Sequence, residues 1–200
     1  TKQVQRNAFE NCEALTDIIL GAGIKNIPSQ AFQGCSSLES IVLPYQVETI
    51  EDNAFKNCTK LKKITIPKAT TSISDSAFSY PDKMTIYGVA GSYAEQYAKE
   101  NDIAFVAQQI ATEKITLSET ELTLGRNEKY QLTAGLTPMD STDEVIWSSS
   151  DEKIAKVDKT GNIEAISAGE AVITAKAGEK TATCKVTVNI PIKSIYLNKT

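Results

Sequence analysis

The stretch NAFKNCTKLKKITIP (residues 53–67) decides the fold, because the chain repeats it on a fixed ruler. Twenty-three residues earlier stands QAFQGCSSLESIVLP (30–44), and twenty-three before that NAFENCEALTDIILG (7–21). Phe9, Phe32, Phe55 and Phe78 share one position, each preceded by Ala8, Ala31, Ala54 or Ala77. Cys12, Cys35 and Cys58 share another, and so do Leu15, Leu38, Leu61 and Met84. Ile18, Ile41 and Ile64 continue the pattern, followed by Leu20, Leu43 and Ile66, while Val4, Ile27, Ile50 and Ile73 make a further rail. A period of this length, with Leu and Ile spaced as L-x-x-I-x-[LI], marks a leucine-rich solenoid.

One coil of this size cannot bury its own apolar side. Stacked coils set equivalent residues above one another, so each rail becomes a continuous column. In LESIVL and LKKITI the inward residues lie at i and i+2, which predicts short parallel strands. Asp or Ser precedes the Ala-Phe pair, which predicts a short helical turn. The cysteines are expected as small buried thiols. The fourth coil decays: Pro81 replaces the cysteine, and Ile86 keeps its rail only with one deletion. In GSYAEQYAKENDIAFV (91–106), Ser92 and Glu95 match a capping box. Tyr93, Ala94, Tyr97 and Ala98 share a helical face. A C-terminal cap helix and a strand at IAFV are expected there. Residues 1–12 match only the second half of a coil, so its missing strand is expected upstream.

After AQQIATEK the texture changes. KITLSETELTL, KYQLTAGL, VIWSSS, IAKVD, NIEAIS, EAVITAKAG and TATCKVTVNI alternate as short strands. DKTGN and AGEK supply turn chemistry between them. Such a run predicts an antiparallel β-sandwich with Trp147 and Cys184 in its core. KSIYLNKT (193–200) repeats EKITLSET (113–120), as if another sandwich had begun. The fold class expected is therefore an α+β leucine-rich repeat solenoid plus an all-β immunoglobulin-like sandwich. The expected limits are 1–110 for the solenoid with its cap, 111–191 for the sandwich and 192–200 for the start of a further repeat.

The charge is slightly acidic, −4, and evenly spread, so neither half is a basic nucleic-acid surface. No apolar run approaches membrane-spanning length. Histidine is absent, which removes Ser-His-Asp and Cys-His catalysis and any His-containing zinc site. The acidic group Asp140, Asp143, Glu144, Asp151 and Glu152 does not follow an EF-hand spacing and is expected to be solvated loop charge. No carboxylate pair stands out for glycoside hydrolysis. The reading is of no enzyme, no cofactor and no metal.

The coil I-x-x-x-A-F-x-x-C-x-x-L-x-x-I-x-[LI]-P resembles the BspA-like leucine-rich repeat of bacterial surface proteins. The carriers are Ala31, Phe32, Cys35, Leu38, Ile41, Leu43 and Pro44, with Ala54, Phe55, Cys58, Leu61, Ile64, Ile66 and Pro67. TIYGVAGSYAEQYAKEN is similar to that family's terminal segment. Residues 113–190 resemble a group 2 bacterial immunoglobulin-like domain, through ITLSETELTL, VIWSSSD, IAKVD, TGNIEAISAGEAVITA and CKVTV. Both resemblances imply export to the cell surface, binding of host, matrix or bacterial partners, and no fixed catalytic site.

The candidate interaction surface is the outward strand face: Asp17, Ile19, Ser40, Val42, Lys63 and Thr65. The expected partner is a host, matrix or bacterial surface protein or glycan, bound by a monomer. No nucleic acid and no membrane insertion are expected. The function expected is adhesion, with accessory positioning in a larger secreted enzyme, or pure wall spacing, as alternatives.

Overall fold

Two left-handed positions per coil set the path of the chain through the repeats. Asn7, Gln30 and Asn53 have φ of 61°, 61° and 56°, and four residues further Asn11, Gly34 and Asn57 have 58°, 75° and 62°. Asn and Gly are the residues that tolerate this region best. A left-handed residue interrupts a helix, so the expected helical turn resolves instead into successive hydrogen-bonded turns, with Ala31 N–H bonded to Pro28 O and Gln33 N–H to Gln30 O. Between left-handed residues the amides point to the next coil. Phe9, Phe32 and Phe55 donate N–H to Ala31, Ala54 and Ala77, each at 2.8 Å.

The computed structural model describes residues 3–79 and 84–189, and the chain divides into two units, Thr1–Gln109 and Ile110–Thr200. In the first, β1 (Asn26–Ile27), β3 (Thr49–Ile50) and β5 (Ser72–Ile73) form one parallel sheet. A second sheet contains β2 (Ser40–Val42), β4 (Lys63–Thr65), β6 (Thr85–Gly88) and β7 (Ala104–Ala107), also parallel throughout. The first sheet arises from the Ile27–Ile50–Ile73 rail, which sequence periodicity marks as apolar without marking it as strand.

The rails become columns. Phe9, Phe32, Phe55 and Phe78 stack with centroids 5.1, 5.3 and 5.5 Å apart and planes within 8°. Leu38, Ile41, Ile50, Ile64 and Ile66 belong to the same core. Each buried side chain of this size contributes roughly 1.5–3 kcal/mol. Helix α1 (Tyr93–Glu100) buries Ala94, Tyr97 and Ala98, with Tyr97 tilted against Phe78 at 6.3 Å. The expected capping box does not form. The Glu95 carboxylate accepts the Gly91 N–H at 2.6 Å, while Ser92 is turned inward, where its Oγ finds no partner among the described residues.

The second unit is an immunoglobulin-like sandwich. β9 (Glu121–Gly125), β12 (Val145–Ser149), β15 (Gly169–Ala177) and β16 (Lys180–Asn189) form one sheet, in the order β12-β15-β16-β9. Against it lie the pair β8 (Lys114–Leu117) with β11 (Ala134–Thr137), and β10 (Lys129–Gln131) with β14 (Asn162–Ala165) and β13 (Ala155–Val157). KITLSETELTL is therefore two strands. The chain changes sheet at residues 118–120, and β9 then runs parallel to β16, a departure from the all-antiparallel expectation. Ile173, Cys184, Val186 and Val188 lie on the buried face, and Trp147 packs, half-buried, against both apolar clusters of this unit. In the DKTGN turn the Asp158 carboxylate accepts from the Thr160 hydroxyl at 2.7 Å and from the Thr160 and Asn162 amides; these bonds hold its pKa down at about 2. Residues 192–200, expected to begin a further repeat, lie outside the described residues.

Candidate interaction face

Alternation along β2 and β4 decides what faces outward. Ile41 and Ile64 are buried, which leaves Ser40, Val42 and Lys63 exposed and Thr65 half-buried. The register sets Ser40 beside Lys63 and Val42 beside Thr65. It continues to Thr85 and Tyr87 on β6, and to Ala104 and Val106 on β7. Two rows thus cross the sheet: Ser40, Lys63, Thr85, Ala104, and Val42, Thr65, Tyr87, Val106. With strands about 4.8 Å apart, four rungs span roughly 14 Å.

Asp17 and Ile19 are placed differently. Residues 16–20 form no strand. Gly21 and Gly23 stand where the next coil has Pro44 and Gln46, so the segment leaves its coil through freer backbone. Ile18 and Leu20 still pack on the core, which points Ile19 away from it at 99% exposure. Among the described residues of the first unit, the large exposed apolar side chains are Ile19, Val42 (66%) and Val106 (44%), and all three occupy the second row or its continuation by the repeat.

Sequence reading missed Thr85, Tyr87, Ala104 and Val106. The deletion in the fourth coil shifts that coil by one residue, and β7 comes from the segment after α1 rather than from a repeat. The usable signal was the T-I-Y alternation at 85–87.

The other polar clusters serve the fold. Glu51 accepts from Asn26 Nδ2 at 2.6 Å and from the Ser29 amide and hydroxyl, and these bonds, the Asn26 one foremost, lower its pKa. Asp143 accepts the Thr112 N–H at 2.6 Å and Asp151 that of Lys153 at 2.9 Å, so both hold loops. The thiols of Cys35 and Cys58 donate to Phe9 O and Phe32 O of the preceding coil, at 3.2 and 3.1 Å. Burial pushes their pKa values up to about 11 and about 12. Cys12 is exposed, whereas Cys35, Cys58 and Cys184 are buried. Alkylation of the folded chain is therefore expected to label Cys12 alone, with the others reacting only in denaturant. Peptide mass spectrometry checks this, and rapid labelling of Cys58 in the folded state would contradict its inward placement.

Residues 1–89 match the family model of the BspA type leucine rich repeat region in six copies, and residues 111–188 match that of the bacterial Ig-like domain, group 2. The chain carries a BspA-type repeat region followed by a group 2 Ig-like domain. Both regions are of non-catalytic type. An uncharacterized protein of Clostridium acetobutylicum is 36% identical over 113 residues, 54% of this chain and 11% of that protein. A polysaccharide lyase 8 family protein of Enterococcus faecalis is 38% identical over 110 residues, 52% of this chain and 8% of that one. The chain thus spans about a tenth of the length of these curated relatives. Among solved structures, a leucine rich cell surface protein of Faecalibacterium prausnitzii is 39% identical, over 46% of this chain and 24% of that one, with a TM-score of 0.42. No helix among the described residues is long and apolar enough to cross a membrane.

Proposed function

We propose that this chain is a non-catalytic binding segment of a bacterial protein that works at the cell surface or after secretion. The BspA-type solenoid makes the contact, and the Ig-like sandwich spaces it. The observation that carries this reading is the single row of exposed apolar side chains: Ile19, Val42 and Val106, with Tyr87 half-buried between the last two. Apolar side chains exposed along one face, with Thr65 between Val42 and Tyr87, favour a contact surface. Stacked coils also hold the face rigid, which lowers the ordering cost of association. Helix α1 acts as the cap that closes the column of coils, as Tyr97 on Phe78 suggests.

A panel of matrix proteins, host glycans and bacterial surface preparations tests the reading. Binding to at least one is expected, with Ile19→Lys plus Val42→Lys weakening it about tenfold or more while circular dichroism is unchanged. Binding that is unaffected by the pair removes this face from the account. Resemblance to a polysaccharide lyase family protein favours a second reading, in which the segment positions a catalytic domain of a larger secreted enzyme.

A further inference from the structure

One coil of the solenoid carries a charge that its neighbour lacks. Residues 53–75 hold five lysines, Lys56, Lys60, Lys62, Lys63 and Lys68, against one carboxylate, Asp75, a net +4 in a chain of −4. The preceding coil, 30–52, has four carboxylates and no Lys or Arg. All five lysines are exposed. Among the described residues the ion pairs are Lys25–Glu48 and Lys185–Glu170, so none of the five lies within ion-pair distance of a described carboxylate. Three acids of the preceding coil are engaged elsewhere: Glu48 by Lys25 at 3.5 Å, Glu51 by Asn26 and Ser29, and Asp52 by the Ser74 and Ser76 hydroxyls. The fourth, Glu39, adjoins the lysines, since its carbonyl accepts the Lys62 and Lys63 N–H groups at 2.9 and 3.3 Å.

The backbone gathers four of the charges. Cys58 N–H bonds to Phe55 O at 3.3 Å and Leu61 N–H to Cys58 O at 3.0 Å, two successive turns that keep residues 55–61 compact. Lys60, Lys62 and Lys63 lie within a Cα span of at most about 11 Å. Each ammonium sits on a flexible four-carbon stem, so the cluster can converge on a ligand without a fixed side-chain direction. Exposed Asn57 and Thr59 stand among them, with the Thr59 hydroxyl on Ser36 O of the preceding coil at 3.4 Å. Residues 56–63 include no aromatic ring and no Arg, so they offer neither a platform for nucleobases nor a planar fork for phosphate.

We propose that this basic edge of the third coil binds an acidic polysaccharide. Lys56, Lys60, Lys62 and Lys63 meet its carboxylate or sulfate groups, and Asn57 and Thr59 meet its hydroxyls. The site lies beyond the apolar row and does not depend on it. Like charges gathered on one coil raise the local potential, and a polyanion relieves it. Charge complementarity therefore selects an anionic partner, and the hydroxyl and amide groups among the lysines favour a sugar polymer over other polyanions. Exposed contacts of this kind are individually weak and are screened by salt.

Titration of the full 200-residue chain with heparin and with polygalacturonate, neutral dextran serving as the blank, tests this. Binding to at least one acidic polymer is expected at about 50 mM salt, falling about tenfold or more by about 200 mM. Lys60→Gln, Lys62→Gln and Lys63→Gln together should weaken it about tenfold, and Glu39→Gln should tighten it about two- to threefold. Lys153→Gln, Lys156→Gln and Lys159→Gln make an equal charge change on exposed residues of the Ig-like unit and should leave binding unchanged. All are surface changes, and circular dichroism verifies the fold. Failure to bind either acidic polymer at low salt overturns the proposal. So does an equal loss in both triple variants, which marks attraction by net charge alone. Tighter binding of polyphosphate or single-stranded DNA of matched charge overturns the polysaccharide and assigns the edge to that class. Ile19→Lys plus Val42→Lys, which disrupts the apolar row, should not weaken polysaccharide binding, so failure of the row and failure of this edge are read separately.

Discussion

Phe55→Ala is expected to lower the stability of the first unit by about 3–5 kcal/mol. Phe55 is 1% exposed and lies mid-column, at 5.3 Å from Phe32 and 5.5 Å from Phe78. Its removal takes away apolar burial and two stacking partners at once. The cavity cannot close easily, because the backbone on either side is tied coil to coil: Phe32 N–H to Ala54 O, and Phe55 N–H to Ala77 O, both 2.8 Å. Solenoid stability depends on neighbour interfaces, so one lost rung weakens two of them. A natural domain holds about 5–15 kcal/mol in total, so the loss is a large part of the whole. Phe9→Ala should cost less, since Phe9 is only half-buried and stacks on Phe32 alone. Chemical denaturation followed by far-ultraviolet circular dichroism measures both. A cost for Phe55→Ala below about 1 kcal/mol would mean that the column is not a cooperative core.

That column was legible because a single period places every member, and Ile41 and Ile64 were legible as inward because SIVL and KITI alternate within the repeated L-x-x-I-x-[LI] pattern. The turns were not. Hydrophobic period says which residues face the core but carries no sign of φ. Asp or Ser ahead of Ala-Phe argued for a helix start, and Gln30 and Asn53 in the left-handed region prevented one. The corrective signal was present in Asn11, Gly34 and Asn57, three residues tolerant of positive φ at one repeat position. The division of KITLSETELTL was hidden for another reason. Ser118, Glu119 and Thr120 contain no Gly or Pro, and alternation survives on both sides, so only the pairing of β8 with β11 and of β9 with β16 reveals the change of sheet. On the candidate face, Ser40, Val42, Lys63 and Thr65 followed from the repeat. Tyr87 and Val106 come from segments that leave the repeat, so the ruler could not point to them.

In the Ig-like domain, Gly161→Ala should have the largest effect, about 2–4 kcal/mol. Two separate costs combine at this position. Gly161 sits at φ +86°, where a side chain is strained whatever space surrounds it. A Cβ there would also stand 2.4 Å from Leu132 O and 2.9 Å from Trp147 Cζ2. Neither neighbour yields easily. Leu132 is fully buried and donates its own N–H to Gly161 O at 3.0 Å, so displacing this residue disturbs the contact that joins the DKTGN turn to the end of β10. Trp147 is wedged against both apolar clusters. Gly91→Ala in the first unit isolates the dihedral cost: it has φ +75° with nothing within 4 Å of the added carbon, and about 1 kcal/mol is expected. The excess at Gly161 then measures the clash. Trp147 is the sole tryptophan, so its fluorescence reports unfolding of the Ig-like unit directly. If Gly161→Ala unfolds within about 0.5 kcal/mol of the parent chain, the turn has room that this packing does not allow, and the close approach of backbone to indole is wrong.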